Sequence, residues 1–471
     1  MQVKWLTRTL GLFLLTFALS GCDDIDRIVW SSDGKIACVL AADGLRLTDG
    51  GGALSPVAER DVRLARWAAG SGRSKRLFTV TSKPLKTWPE IEKIEDAENL
   101  DTIKTSAAEI LMRADLSKGD WEKFTSEASD LPFLAEAAIL ADHQDHKKLK
   151  GLFGGNWDKS MRDASLDVYS VNAHDVDGST VGEGRTLLQT AREVVDLYPQ
   201  ENLADSQNAG RALAVILKPE PHQEPYPHRI LVLDAKEGKQ LARIEGASKF
   251  PSWSPDGTTL YYIGIEGTGK ASDSLTHMGS LKAAVLFDRS GELLPSAGDH
   301  QVLARLIFGC ESRVKVRKNG DIVFSSHDVT LPCVPSDFSH EHTIYTLSPG
   351  KRATVARLFP RRSSLGAGNL RHYFEFNPSE TRVSLPDKEG FVTVVDLATG
   401  ELTVVDGDGF TPADSLKFLP HWLSDDVICL PGSLDDNPGQ GTEVVLYDLK
   451  EKKGRSISRD WPKAATSKFL E

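Results

Sequence analysis

One stretch, Phe250-Pro-Ser-Trp-Ser-Pro-Asp-Gly-Thr-Thr-Leu-Tyr-Tyr-Ile263, constrains the fold more than any other. An apolar strand end runs into Ser254-Pro255-Asp256-Gly257, and a second apolar strand leaves at Leu260. Proline presets one turn dihedral and glycine supplies the positive φ of a tight reversal, so the stretch reads as a β-hairpin. A hairpin cannot bury an apolar face alone. The question is therefore whether related hairpins recur along the chain.

They do. An apolar-x-x-x-Asp-Gly turn, or a relative of it, returns at Ile28 to Gly34, Arg313 to Gly320, Tyr373 to Glu380 and Pro420 to Asp426. A second signal is an aspartate closing an apolar strand before a short turn. It occurs in Leu233-Asp-Ala-Lys-Glu-Gly238, Phe287-Asp-Arg-Ser-Gly291, Val395-Asp-Leu-Ala-Thr-Gly400 and Tyr447-Asp-Leu-Lys450. There the carboxylate is suited to accept local backbone N–H bonds. The two signals alternate, as first-to-second and third-to-fourth strand turns would in a repeated four-stranded antiparallel unit.

The Pro-x-Trp-Ser-Pro-Asp-Gly segment at 251–257 resembles the repeat of the TolB-type, WD40-like β-propeller family. That resemblance implies an all-β, seven-bladed propeller, with six and eight blades as the alternative counts. Radial repetition leaves only short, protected sheet edges. The expected blades start near Arg27, Val62, Arg211, Phe250, Arg313, Tyr373 and Pro420. Residues of about 88 to 160 break the pattern: Ile103, Ala107, Ile110, Leu111 and Ala114 recur at helical spacing. This segment is expected to be a small helical insertion inside blade 2. Trp30, Trp67, Trp253 and Trp422 recur in first strands and are expected to be blade-to-blade core.

The first residues carry a different signal. Lys4 and Arg8 precede a short apolar run from Leu10 to Leu19, and Leu19-Ser-Gly-Cys22 follows. This resembles the bacterial lipoprotein lipobox, which implies removal of 1–21 as a signal peptide and diacylation of Cys22. The remaining chain, 22–471, is then expected to be one propeller domain held to the cell membrane by its acyl chains, on the periplasmic or other extracytoplasmic side.

The formal net charge is −11, and losing Lys4 and Arg8 makes the body more acidic still. That argues against nucleic acid as a partner, since phosphate backbones are bound by displacing counterions with Lys and Arg. Cys38 and Cys429 sit in apolar strands and are expected to be buried thiols, while Cys310 and Cys333 are candidates for pairing.

Motif searches are largely negative. Gly264-Ile-Glu-Gly-Thr-Gly-Lys-Ala271 nearly fits a phosphate loop, but Ala271 replaces the Mg²⁺-holding hydroxyl, so a plain loop is expected. The chain has no Gly-x-Ser-x-Gly elbow, His-Glu-x-x-His or Cys-x-x-Cys. Asp175 to Gly178 and Asp406 to Gly409 lack the rest of a calcium loop. His143, His146, His222, His228, His277, His327, His340 and His342 fall in the insertion or the longer loops, without a diagnostic ligand spacing. No catalytic residue, cofactor or metal ligand is therefore expected.

The long connections join the second and third strands of several blades. Clustered insertions of that kind mark a binding face in repeat proteins. The expectation is a non-catalytic module that docks an envelope protein or peptide. The competing expectation is an envelope enzyme, or a small-molecule or metal-sensing binder, with a pocket on the same face.

Overall fold

In the computed structural model the described residues are 27–68, 74–84, 93–94, 167–200, 210–218, 228–247, 250–267, 276–295, 300–309, 312–327, 342–348, 355–358, 373–386, 391–407, 409–413, 418–435 and 442–462. The helical insertion expected at 88–160 lies outside them apart from a turn at 93–94, as do Cys22, Cys310 and Cys333. Every regular element among the described residues is a strand.

The first sheet is β1 (Ile28–Trp30), β2 (Ala37–Ala41) and β3 (Gly44–Thr48). The second contains β4 (Val62–Trp67), β5 (Ser74–Pro84), β6 (Asp167–Asp177), β7 (Thr180–Val181) and β8 (Arg185–Thr190). Next come β9 (Val194–Pro199), β10 (Ala212–Leu217), β11 (His228–Asp234) and β12 (Gln240–Ala247). They are followed by β13 (Ser252–Trp253), β14 (Thr259–Gly267), β15 (Thr276–Val285) and β16 (His300–Gly309). All of these last eight belong to one sheet, whose two halves are joined through the single pair Ala247↔Gly264.

Three more sheets complete the chain. They are β17 (Val314–Val316) to β20 (Val355–Arg357) with β18 (Ile322–His327) and β19 (His342–Leu347), and β21 (Glu375–Phe376) to β24 (Leu402–Val404) with β22 (Arg382–Pro386) and β23 (Val392–Asp396). The last has β25 (Phe410–Pro412), β26 (His421–Trp422), β27 (Val427–Leu434), β28 (Glu443–Asp448) and β29 (Lys453–Ser456). Hydrogen bonding thus separates the described strands into six sheets, a count that differs from the expected seven. The difference arises at Ala247↔Gly264, where one bridge merges two groups of four strands. Sequence reading named no strand at β7, β9, β16, β20, β25 or β29.

The chain divides into two compact units, one of residues 1–57, 267–279 and 304–471, the other of 58–266 and 280–303. Within the first unit, sheets stack face to face in chain order as propeller blades do. Val323 and Ile344 pack on Phe374, Phe376 and Val383 of the next sheet. Val392 and Val394 of that sheet pack on Trp422, Ile428 and Leu430 of the last. The last sheet then meets the first, with Phe418, Cys429 and Leu446 against Ile28, Trp30 and Val39. In the second unit, Phe78, Val171 and Leu187 pack on Leu213, Val215 and Leu231, and Ile216 and Val232 share a core with Trp253, Tyr262 and Leu286. Trp30, Trp67, Trp253 and Trp422 are all buried, as expected of core aromatics.

Local chemistry explains the repeat. At the first-to-second strand turn, the Ser254 hydroxyl donates to Asp256 Oδ1 at 2.5 Å and accepts from Thr259 N–H at 3.0 Å. Ser31 makes the same two contacts with Asp33 and Ile36. Asn377 plays the serine's part at the next related turn, its Oδ1 accepting from Arg382 N–H at 2.8 Å. At the third-to-fourth strand turn, Asp234, Asp288, Asp396 and Asp448 each accept two backbone N–H bonds on one carboxylate oxygen. Donors from Ser290 and Glu292 hold the Asp288 carboxyl below the usual carboxylate range, and Thr399 does the same for Asp396. The contribution of the Asp288 and Asp396 turns is complete above the ordinary carboxylate pKa and declines as pH falls through the lowered native value.

Neighbouring turns interlock in the first unit. Asp425 Oδ1 accepts from Asn377 Nδ2 at 2.9 Å and from Ser379 N–H at 2.8 Å. Glu380 accepts from Lys318 N–H at 3.0 Å through its carboxylate and from Arg317 through its carbonyl at 2.9 Å. Glu380 holds φ of +55° where the related turns have Gly34, Gly257 and Gly320, so this contact is made from a strained backbone position.

Candidate functional site

Because the first-to-second strand turns of the first unit lie side by side, the second-to-third strand connections of those sheets leave at the opposite end. They are residues 328–341, 387–391 and 435–442. Most of them lie outside the described residues, with His340 among these, and so do His143, His146 and His222. His327 and His342 are directly opposed register partners where β18 and β19 run into the 328–341 connection. His277 lies in β15. His228 is buried on β11, opposite Ala247, and so is a core histidine rather than a loop residue. Among the described residues no group of three or more His, Cys, Asp and Glu is placed to hold a metal ion.

Two weak motifs read as loops are strand instead. β14 continues through Gly267, with Gly264 paired to Ala247, so residues 264–267 form no phosphate cradle. β6 runs to Asp177, and only Gly178, at φ +56°, takes the turn. In β6 the partner strand carries the ladder past Asp175 to Asp177, and in β14 Gly264 is itself a paired position.

A polar cluster does form on the leading strands of the first unit. Tyr373 and Glu375 share one side of their strand, while Phe374 and Phe376 point into the core. The Tyr373 hydroxyl lies 3.1 Å from Glu375 Oε2 and 3.0 Å from Pro420 O, so a single phenolic hydrogen faces two acceptors. His421 Nδ1 on β26 is 3.4 Å from Glu375 Oε1. The Arg313 guanidinium sits 4.4 Å over the Tyr373 ring, a cation–π contact. Trp422 anchors the floor, donating from Nε1 to Ser384 Oγ at 3.0 Å and to Glu375 O at 3.2 Å.

Cys429 is the register partner of His421, which brings cysteine, histidine and glutamate into one neighbourhood. Burial, followed by the negative Glu375, pushes the Cys429 thiol up to about 12. At neutral pH this sulfur is a protonated core atom, and a thiolate is the form that attacks. Cys38 is likewise buried, its Sγ 3.5 Å from Val29 O. The sequence reading of both as buried thiols holds for the structure. It missed Arg313, Tyr373, Glu375 and His421 as a group. The available signal was Tyr373 and Glu375 alternating with two phenylalanines, which marks two polar positions on one side of a leading strand.

The third element is apolar. Phe391 and Val404 are each exposed by more than two fifths. Val404 pairs with Thr393, two residues from Phe391, so the three side chains belong to one side of the sheet. Both lie towards the end where residues 387–390 leave β22 and enter β23. On the opposite side of β23 and β24, a cleft of about 150 Å³ is lined by Val394, Thr403, Arg382, Asp396, Glu401 and Lys450.

No family model matches this chain, and no curated protein matches it. Among solved structures it is similar to TolB from Acinetobacter baumannii, at 15% identity and TM-score 0.36, over 61% of this chain and 58% of that one. It is similar to a puromycin-hydrolyzing peptidase of Mycobacterium tuberculosis, at 14% identity and TM-score 0.36, over 65% and 46%. A third is Chaetomium thermophilum Sqt1 bound to the N-terminus of the ribosomal protein L10, at 14% identity and TM-score 0.36, over 60% and 67%. The chain therefore spans about half the length of the first two proteins. Likenesses at this level assign neither a family nor an activity to it.

Proposed function

We propose that this chain is a lipid-anchored β-propeller of the cell envelope that docks a protein or peptide at its loop-rich end and performs no covalent chemistry. The observation that carries the reading is the Phe391 and Val404 pair, two large apolar side chains exposed together beside a second-to-third strand connection. Exposed apolar groups rimmed by polar ones are what a protein dock requires. Seven blades follow if the eight-stranded sheet is counted as two, β9 to β12 and β13 to β16. In the anchor, Cys22 carries the acyl chains and the body faces the periplasm, or the outer side in a cell with one membrane.

In-cell photocrosslinking from positions 391 and 404 tests the docking surface. One envelope protein should be captured from both sites and not from Lys236, which occupies a third-to-fourth strand turn. Phe391→Asp should reduce capture by at least about tenfold, the loss of about 1.4 kcal/mol. Equal capture from all three positions would overturn the docking reading. Cys22→Ala should release the protein from membranes and remove the acyl mass; an unchanged mass would dispose of the anchor separately.

The Tyr373, Glu375, His421 and Arg313 cluster favours a second reading, a small polar ligand bound among the leading strands. Loss of a metabolite thermal shift in Glu375→Gln, with crosslinking unchanged, would select it.

A further inference from the structure

His174 lies in the middle of β6, almost completely buried, in a polar network that the docking surface does not use. Its Nδ1 is 3.1 Å from Gly182 O, a group that can only accept, so Nδ1 carries a hydrogen. Its Nε2 faces two different partners: Glu59 Oε2 at 3.2 Å and Thr79 Oγ1 at 3.0 Å. A carboxylate only accepts, whereas a hydroxyl donates or accepts. Two self-consistent arrangements follow. With Nε2 protonated, the imidazolium donates towards Glu59. With Nε2 bare, the Thr79 hydroxyl turns to donate to it, and Glu59 faces a lone pair.

We propose that His174 and Glu59 form a pH-dependent clasp, closed when the ring is charged, which ties the chain entering β4 to the second sheet and loosens when the ring loses its proton. On its other side the Glu59 carboxylate accepts from Asn172 Nδ2 at 3.3 Å, and Asn172 is itself fixed by Thr186 Oγ1 at 2.9 Å. Two residues on, Asp61 sits at φ +58°, a strained entry to β4 that a released Glu59 no longer helps to hold. Gly184 completes the site, because a Cβ there would approach the His174 ring to 2.5 Å.

The surrounding charges set the sign. Burial lowers the His174 pKa, but the Glu59 contact, Gly182 O and the fields of Glu59 and Asp175 outweigh it, and the net direction is upward. Asp175, on β6, is exposed and pairs with Arg76 of β5 at 3.6 Å. Arg185, on β8, sends its guanidinium to Ala235 O, and Glu183 is exposed. With the native value above the ordinary imidazole value near 6.5, the clasp is complete below that pH. Its contribution is lost as pH rises through the native value.

Long-range ¹H–¹⁵N spectra of the full mature chain with labelled histidine, assigned by His174→Gln, read the ring directly. His174 should titrate above the exposed histidines. Glu59→Gln should lower its midpoint, and Thr79→Val, which removes the donor to bare Nε2, should raise it, each by at least about threefold in proton affinity. Trypsin cleavage after Arg60, normalised to a peptide of the same sequence, should accelerate as pH rises in the wild type and be independent of pH in Glu59→Gln. A neutral ring from pH 5 to 9, or midpoints that move the same way in both variants, would overturn the proposal.

Discussion

Gly34→Ala is expected to destabilise the protein by about 2–5 kcal/mol, a substantial part of the roughly 5–15 kcal/mol that holds a domain together. Gly34 holds φ of +65°, where alanine costs about 1–2 kcal/mol. The second contribution is steric. A Cβ at 34 would stand 2.5 Å from Leu423 O and 3.2 Å from the Leu423 carbonyl carbon, backbone atoms that no rotamer change can move. Crowding of that kind adds about 1–3 kcal/mol. Gly320→Ala is the matched control, since Gly320 has φ of +87° and its added Cβ would meet nothing within 4 Å. Urea unfolding of the two variants therefore separates backbone strain from the approach of the first sheet to the last. If both variants lose the same stability, the contact between the turns at 34 and 423 is not part of the native packing.

The second large effect lies in the hairpin at 250–263. Trp253→Ala should cost about 3–5 kcal/mol, the range for removing a large buried aromatic. Trp253 is only 4% exposed, packs near Phe287 with ring centroids 6.4 Å apart, and donates from Nε1 to Tyr198 O at 2.9 Å. That bond reaches from β13 to β9, so the side chain links the two halves of the eight-stranded sheet by more than apolar contact. Trp253→Phe keeps most of the packing but removes the indole donor to Tyr198 O, at a cost of about 0.5–1.5 kcal/mol. Thermal unfolding should rank wild type, Trp253→Phe and Trp253→Ala in that order. A cost below about 1 kcal/mol for Trp253→Ala would show that the tryptophan is not core.

Both effects follow from pairs of residues far apart in the chain, which explains where sequence reading succeeded and where it stopped. Turn chemistry is local. Ser254 with Asp256, Ser31 with Asp33, and the aspartates at 234, 288, 396 and 448 all satisfy backbone groups within five residues, so their pattern was visible as text. The buried state of Cys38 and Cys429 followed from apolar neighbours in the same strands. Strand length was legible only in part. β6 runs past Asp175 because β5 continues the ladder to Asp177, and Gly264 is held in β14 by its pairing with Ala247, conditions that no local signal carries.

The unit of construction is written in local residues: short antiparallel strands, turns closed by a serine or an aspartate, and a tryptophan-bearing leading strand that recurs along the chain. Which units touch, and with that where the polar groups fall, is set by how the sheets pack. His174 reads as an ordinary strand residue until Glu59, more than a hundred positions earlier, is brought to 3.2 Å. Tyr373 and Glu375 share a strand side through local alternation, but they become a cluster only when packing of the last two sheets sets His421 beside them. The physical reason is one of range. A turn's hydrogen bonds are fixed by spacing along the chain, whereas a buried ion pair or an exposed apolar pair is fixed by which faces the stacked sheets leave open.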